Sequence, residues 1–182
     1  MSPELLARCL EATLPRAVMW SRYLTSSMEE FEINTPVRQA AYMAQIGHES
    51  LGLRYMAEMW GPTEAQERYE PPSSLATRLG NTEPGDGRRF SGRGPIQCTG
   101  RFNYRKYGKL LNLELEQFPE LLDDPSNACR VAACFWKTNG LNELADTDQF
   151  TLITKRINGG TNGLVDRKRR WEIAKNVLGA FA

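Results

Sequence analysis

The sequence predicts a mainly α-helical protein with a loop-rich segment inserted between its third and fourth major helices. Three observations carry that expectation. Apolar residues recur at helical spacing through most of the chain. Two prolines each follow a residue that caps helices well, Pro36 after Thr35 and Pro125 after Asp124. Residues 61–100 then break the pattern with five prolines (62, 71, 72, 84, 95) and seven glycines (61, 80, 85, 87, 92, 94, 100).

Taken in order, Leu5, Leu6, Cys9 and Leu10 give a short amphipathic start, and a second helix is expected over about 16–31. The third opens at Thr35-Pro36, with Val37, Ala40, Ala41, Ala44 and His48 forming one buried stripe. The glycine- and proline-rich stretch reads as loop, with a short helix at 73–79 and a small hairpin near 88–97. Ordered loops of that length are usually functional. Helix returns at about 102–111, at Asp124 to about Thr138, and at about 148–156. "INGGTNG" (157–163) is a break, and a last helix runs to about Val177 with Gly179 at its C-terminal end. At 182 residues the chain is expected to be one domain over 1–182, with a small lobe at about 61–100.

Composition narrows the function. The net charge of +1 argues against a nucleic-acid binder. No apolar run approaches the ~20 residues of a membrane span, so stable membrane insertion is not expected. One histidine and no CxxC make a metal site an unlikely expectation, and no cofactor is called for. Cys129 and Cys134 share a helix five residues apart, on different faces. With Cys9 and Cys98 they read as free thiols of a protein made in a reducing compartment. Glu4, Arg8 and Glu11 interrupt the N-terminal segment, which does not read as a Sec signal peptide.

Glu49 and Glu58 lie nine residues apart. In one continuous helix they would face opposite ways, roughly 13 Å apart along the axis. Gly52 offers a place to end the helix and turn the chain back, which would let the two face each other over a cleft. Glu49, at the edge of the apolar stripe, would be partly desolvated and suits a general acid. Glu58, in wetter surroundings, suits a general base. Two carboxyls roughly 6.5–9.5 Å apart leave room for an attacking water. On spacing alone, two solvated surface acids are the plainer reading, as most glutamates are, and Glu64, Glu67 and Glu70 are rivals for the base.

Several motifs then occur in a fixed order: His48-Glu49-Ser50, Gly92-Arg93-Gly94-Pro95-Ile96-Gln97, Thr99, Asn103-Tyr104, Ile157-Asn158-Gly159-Gly160 and Asp166-Arg167. Together they resemble glycoside hydrolase family 19, the chitinases and the related lysozyme-like enzymes of bacteria and bacteriophages. The resemblance implies a mainly α, lysozyme-like fold, its Gly/Pro-rich loop or hairpin lining a substrate cleft. It also implies an inverting mechanism with Glu49 as acid, Glu58 as base and Thr99 holding the water. It implies substrate-binding roles for His48, Phe90, Gln97, Asn103, Tyr104, Asn158 and Arg167, although Phe90 stands where the family often has Tyr. Arg167 is equally open as an orienter of a catalytic carboxylate, His48 as a packed core residue, and Arg93 as a structural partner of a buried acid.

Peptidoglycan is the expected partner polymer, with chitin the nearest variant. The expected form is a monomeric endolysin, made in the cytoplasm and acting on the bacterial cell wall after holin-dependent release. The run "DRKRRWEIAK" (166–175) carries five bases and two acids and could favour an anionic wall; a solvated helix face is the plainer reading. A lytic transglycosylase and a non-catalytic wall-binding module remain the rival functions.

Overall fold

Helix α3 (Pro36–Glu49) runs through the middle of the structure, a computed structural model that describes residues 1–180. It starts as the caps dictate: the Thr35 hydroxyl accepts the Arg38 backbone N–H at 3.3 Å, with Pro36 in the first turn. Its burial differs from the single stripe expected. Every residue from Ala40 to Gly47 is buried, including Tyr42, Met43, Gln45 and Ile46 between the alanines. The reason is enclosure. Helix α11 (Leu164–Leu178) packs along it, and α1 (Pro3–Leu10) and α9 (Leu141–Asp146) cover other sides. A helix wrapped in this way is apolar all round. Small residues permit the approach: a Cβ on Gly47 would already sit 3.4 Å from Leu10.

Helix α2 (Leu14–Glu30) packs against α1 and α8 (Pro125–Thr138). Asp124 caps α8 by accepting the Asn127 N–H at 3.0 Å. Helix α7 (Arg101–Leu111) lies on the other side of α8, and α10 (Phe150–Asn158) precedes the break before α11. The insertion carries three short helices, α4 (Glu64–Glu67), α5 (Ser74–Leu79) and α6 (Asp86–Arg89). A 3₁₀ turn spans Pro119–Asp123.

Two apolar clusters result, with α8 as the wall between them. The larger takes Cys129, Ala132, Ala133 and Trp136 from α8, and the smaller takes Val131 and Cys134 together with Phe90, Tyr104, Tyr107 and Leu122. Cys129 and Cys134 thus face different cores, as their spacing requires, and all four cysteines are free and buried. Burial pushes the thiols of Cys9 and Cys98 up, to about 11 and about 12, so neither is a thiolate near neutrality.

The end of α3 positions everything that follows. Ser50 closes the helix, its hydroxyl donating to the Ile46 carbonyl at 2.6 Å and accepting the Leu53 N–H at 2.9 Å. Gly52 then takes φ +63° and donates its N–H to the Gly47 carbonyl at 2.9 Å. The returning chain meets the loop at residues 92–94: the Glu58 N–H donates to the Gly92 carbonyl at 2.8 Å and the Gly94 N–H to the Met56 carbonyl at 2.7 Å. The hairpin expected over 88–97 contracts to one pair, Arg93 and Cys98, each donating its N–H to the other's carbonyl. Its expected first arm is instead the helical turn α6. Asp86, in the first turn of α6, holds the loop before it by accepting the N–H groups of Thr82 and Glu83, and Arg101 holds its carboxylate at 2.6 Å.

Candidate active site

Glu49 is the last residue of α3, and its side chain is 21% exposed. It faces Arg167, which enters from the first turn of α11 and is itself only 3% exposed. The Arg167 guanidinium reaches three acceptors: Nη2 donates to Glu49 Oε1 at 2.5 Å, Nη1 to Gln45 Oε1 at 2.5 Å, and Nε to the Asn162 carbonyl at 3.2 Å. Gln45 in turn donates to the Thr154 hydroxyl at 2.9 Å. A buried guanidinium requires such partners, and its rigid fork serves several at once. The buried Arg167 guanidinium therefore holds the Glu49 carboxylate, which fits the orienting role of the two left open for it. Asn158 supports the same arrangement. Its side chain donates to the Asn162 carbonyl at 2.9 Å and accepts the Gly160 N–H at 2.8 Å, holding the loop whose carbonyl meets Arg167.

His48 is turned from the substrate-binding role expected of it. Its Nδ1 pairs with Asp166 Oδ2 at 2.7 Å, and its ring lies on Gly163, where an added Cβ would come within 2.4 Å of Cε1. Burial alone would raise the Asp166 pKa, but hydrogen bonds from His48, Arg170 and Arg169 outweigh it and hold that carboxyl well below the usual range. Part of the basic run of α11 joins the same network. Arg169 and Arg170 pair with Asp166 and Glu11, which ties α11 to the end of α1, while Lys175 pairs with Glu172 within α11.

Glu58 is half-buried and held by both carboxylate oxygens. Oε2 accepts the Gly92 N–H at 3.0 Å and Oε1 accepts the Gln66 side-chain amide at 3.0 Å. Three polar atoms converge on the bare face of Gly92: the position a Cβ would take lies 2.7 Å from Gln97 Oε1, 3.2 Å from Thr99 Oγ1 and 3.4 Å from Glu58 Oε2. The Thr99 hydroxyl donates to the Gln97 carbonyl at 2.9 Å, and Asn103 donates to the Thr99 carbonyl at 2.8 Å. Gln97, Thr99 and Asn103 line one cavity of about 200 Å³, with Ile96, Tyr107 and Ile157 among its other walls. Ile157 joins the two halves, since the next residue, Asn158, braces the loop behind Arg167 and Glu49.

The rival acids go elsewhere. Glu64 and Glu67 are exposed, and Glu70 accepts the N–H groups of Gly85 and Arg88. Phe90 and Tyr104 are corrected from substrate-binding to core. Both are fully buried, with ring centroids 5.3 Å apart, and the Tyr104 hydroxyl donates to the Ser91 carbonyl at 2.7 Å. Arg93 takes the structural role, donating to the Tyr104 hydroxyl at 2.8 Å and to Asp123 at 3.2 Å. Gln45 and Gln66 were missed. Gln66 had a signal, the T-x-x-Q capping box of Thr63–Gln66. Gln45 had only its polarity in a run of small apolar residues.

A helical protein with separately anchored acids at a helix end and beside a glycine-rich loop belongs to the class of lysozyme-like folds. The comparisons agree. A chitinase C mutant of known crystal structure superposes with a TM-score of 0.77 at 22% identity, over 98% of this chain and 92% of that one, which establishes the shared fold. A glycosyl hydrolase family 19 domain-containing protein of Haemophilus influenzae is 29% identical over 167 residues, 79% of this chain and 82% of the relative. An Arabidopsis thaliana endochitinase is 37% identical over 122 residues, 66% of this chain but only 39% of the plant protein, so the chain spans well under half of that relative. The model of the family described as chitinase class I matches residues 32–151. The chain belongs to glycosyl hydrolase family 19, a family of glycoside hydrolases.

Proposed function

We propose that the chain is an endolysin-type glycoside hydrolase that cuts β-1,4 bonds in the amino-sugar backbone of peptidoglycan with inversion. Glu49 gives its proton to the leaving oxygen. Glu58 takes a proton from a water that Thr99 helps to hold, and the water attacks the opposite face of the sugar. The observation that carries this reading is the convergence of Glu58 Oε2, Thr99 Oγ1 and Gln97 Oε1 around Gly92, while Glu49 is held apart on Arg167. One group of polar atoms suits a water and the other a leaving group. Gln97 and Asn103 supply amides for the acetamido and hydroxyl groups of the sugar.

One point supports peptidoglycan as the polymer. All four cysteines are buried free thiols, which fits a protein stored in a reducing cytoplasm until a holin opens the membrane. Chitin is the second reading, favoured by the likeness to plant endochitinases. Mass spectrometry of digests of peptidoglycan and of chitin oligomers separates them. Reducing-end muropeptides support the proposal; anhydro-sugar ends would establish a transglycosylase instead, and turnover of chitin alone would establish the second reading.

A further inference from the structure

We propose that Gln66 is a positioning residue that sets the orientation of Glu58 for water activation, an inference that rests on the reading of Glu58 as the base. Gln66 is 5% exposed and lies on α4, in the insertion, eight residues beyond Glu58. Its amide is fully used. Oε1 accepts the N–H groups of Gly61 at 3.1 Å and Thr63 at 2.8 Å. Nε2 donates to Glu58 Oε1 at 3.0 Å and to the Met59 carbonyl at 2.9 Å.

This distribution fixes the amide's direction. The oxygen end has two donors against it and the nitrogen end two acceptors, so a flipped amide would oppose like groups at all four contacts. The capping box that closes α4 therefore aims an N–H at the carboxylate. The opposite oxygen of Glu58 is held by the Gly92 N–H, a backbone group that cannot rotate away. Each carboxylate oxygen takes one donor from the protein and keeps a lone-pair direction for a proton from water. Without the Gln66 contact the carboxylate would turn about its remaining bond to Gly92, away from Thr99.

The test uses Gln66→Glu. That substitution keeps an oxygen toward Gly61 and Thr63 but puts a second carboxyl oxygen about 3 Å from Glu58, where the pair shares a proton. Reducing-end release is followed on purified peptidoglycan and on chitohexaose, across pH, beside thermal unfolding. The expected result is an acid limb of kcat/KM displaced upward by one pH unit or more, with the rate recovered on the alkaline side. An acid limb that stays in place while Glu58→Gln keeps only a residual rate overturns the role of Gln66 alone. A Glu58→Gln protein that keeps its rate overturns the underlying reading of the base. Should Gln66→Glu not fold, Gln66→Leu carries the test. It is expected to lower kcat at least 10-fold with KM changed less than 3-fold, and to add no further loss in the Glu58→Gln background. A fall in kcat of the same factor in both backgrounds overturns the proposal.

Discussion

Replacing Gly52 with alanine isolates what the turn after α3 requires. Gly52 sits at φ +63°, and an added Cβ would lie 2.9 Å from the Glu11 carbonyl oxygen and 3.2 Å from that of Leu10. Two effects add. Placing an L-residue in the left-handed region costs about 1–2 kcal/mol, of which about 0.4–1 kcal/mol is returned by the stiffer unfolded chain. Forcing a methyl onto backbone oxygens at the end of α1 adds about 1–3 kcal/mol, since neither carbonyl is the far end of a flexible side chain. The sum is a loss of about 1–5 kcal/mol, or a fall in melting temperature of roughly 2–20 °C for a domain of this size. Gly159 is the control: its φ is +74° and an added Cβ meets nothing within 4 Å, so Gly159→Ala reports the dihedral effect by itself, about 1 kcal/mol or less. Urea unfolding of both variants measures the difference directly. Equal losses for Gly52→Ala and Gly159→Ala would refute the claim that contact with α1 confines this turn to glycine.

Thr99→Ala should lower turnover roughly 10- to 1,000-fold while the melting temperature changes little, because a half-buried side chain gives up only one hydroxyl and one methyl; steady-state kinetics and calorimetry on the same preparation check it. Arg167→Lys should lose about 1–3 kcal/mol, since a point charge cannot serve Glu49, Gln45 and the Asn162 carbonyl together, and urea unfolding reads the loss. Stability should be nearly level from pH 7 to about 5 and fall steeply below about pH 4. The carboxyls of Asp166 and Asp86 have folded pKa values below their unfolded ones, so the stability they add is present above the unfolded value and is lost as pH falls through the folded values. Chemical unfolding at pH 6 and pH 3.5 measures it.

The long helices were legible because their ends carry chemistry that acts locally. Thr35-Pro36 and Asp124-Pro125 are pairs favoured at helix starts and each starts one here, and Gly179 closes α11 as its residue type suggests. Short elements were less so. Helix α9 was not foreseen, because six residues give too few turns for a period to show, and Gly140 before it reads as a break. The hairpin was overdrawn because glycine, proline and arginine between 85 and 95 signal turns without saying which type; the first part is the helical turn α6, whose Asp86 binds back to the N–H groups of Thr82 and Glu83. At the site, residue identity was readable but direction was not. His48 and Arg167 occupy motif positions, yet which way they point depends on Asp166 for His48 and Gln45 for Arg167, partners more than a hundred residues away in each case. Phe90 and Tyr104 belong to a core that exists only once α7 has folded onto α8, so no local pattern marked them as buried.

The two acids are held by different means, and the difference follows from where each sits. Glu49 ends a helix that is enclosed on all sides, so a long side chain from a neighbouring helix can reach it through the packed interior. Arg167 does so, and its guanidinium is fixed by Gln45 and Asn162 before it meets the carboxylate. Glu58 lies in a connection with no helix of its own and no core behind it. Its restraint has to come from groups that loops can supply: a backbone N–H from Gly92 and an amide from a residue that also caps the next helix. Glycine at 92 is part of that solution. Any side chain there would push against Gln97 and crowd Thr99, the two groups that share the face with the Glu58 carboxylate. The α3 end therefore depends on the main core, whereas the Glu58 end depends on a few hydrogen bonds among Gly61, Thr63, Gln66 and Gly92, where the loss of one donor frees a whole carboxylate to turn.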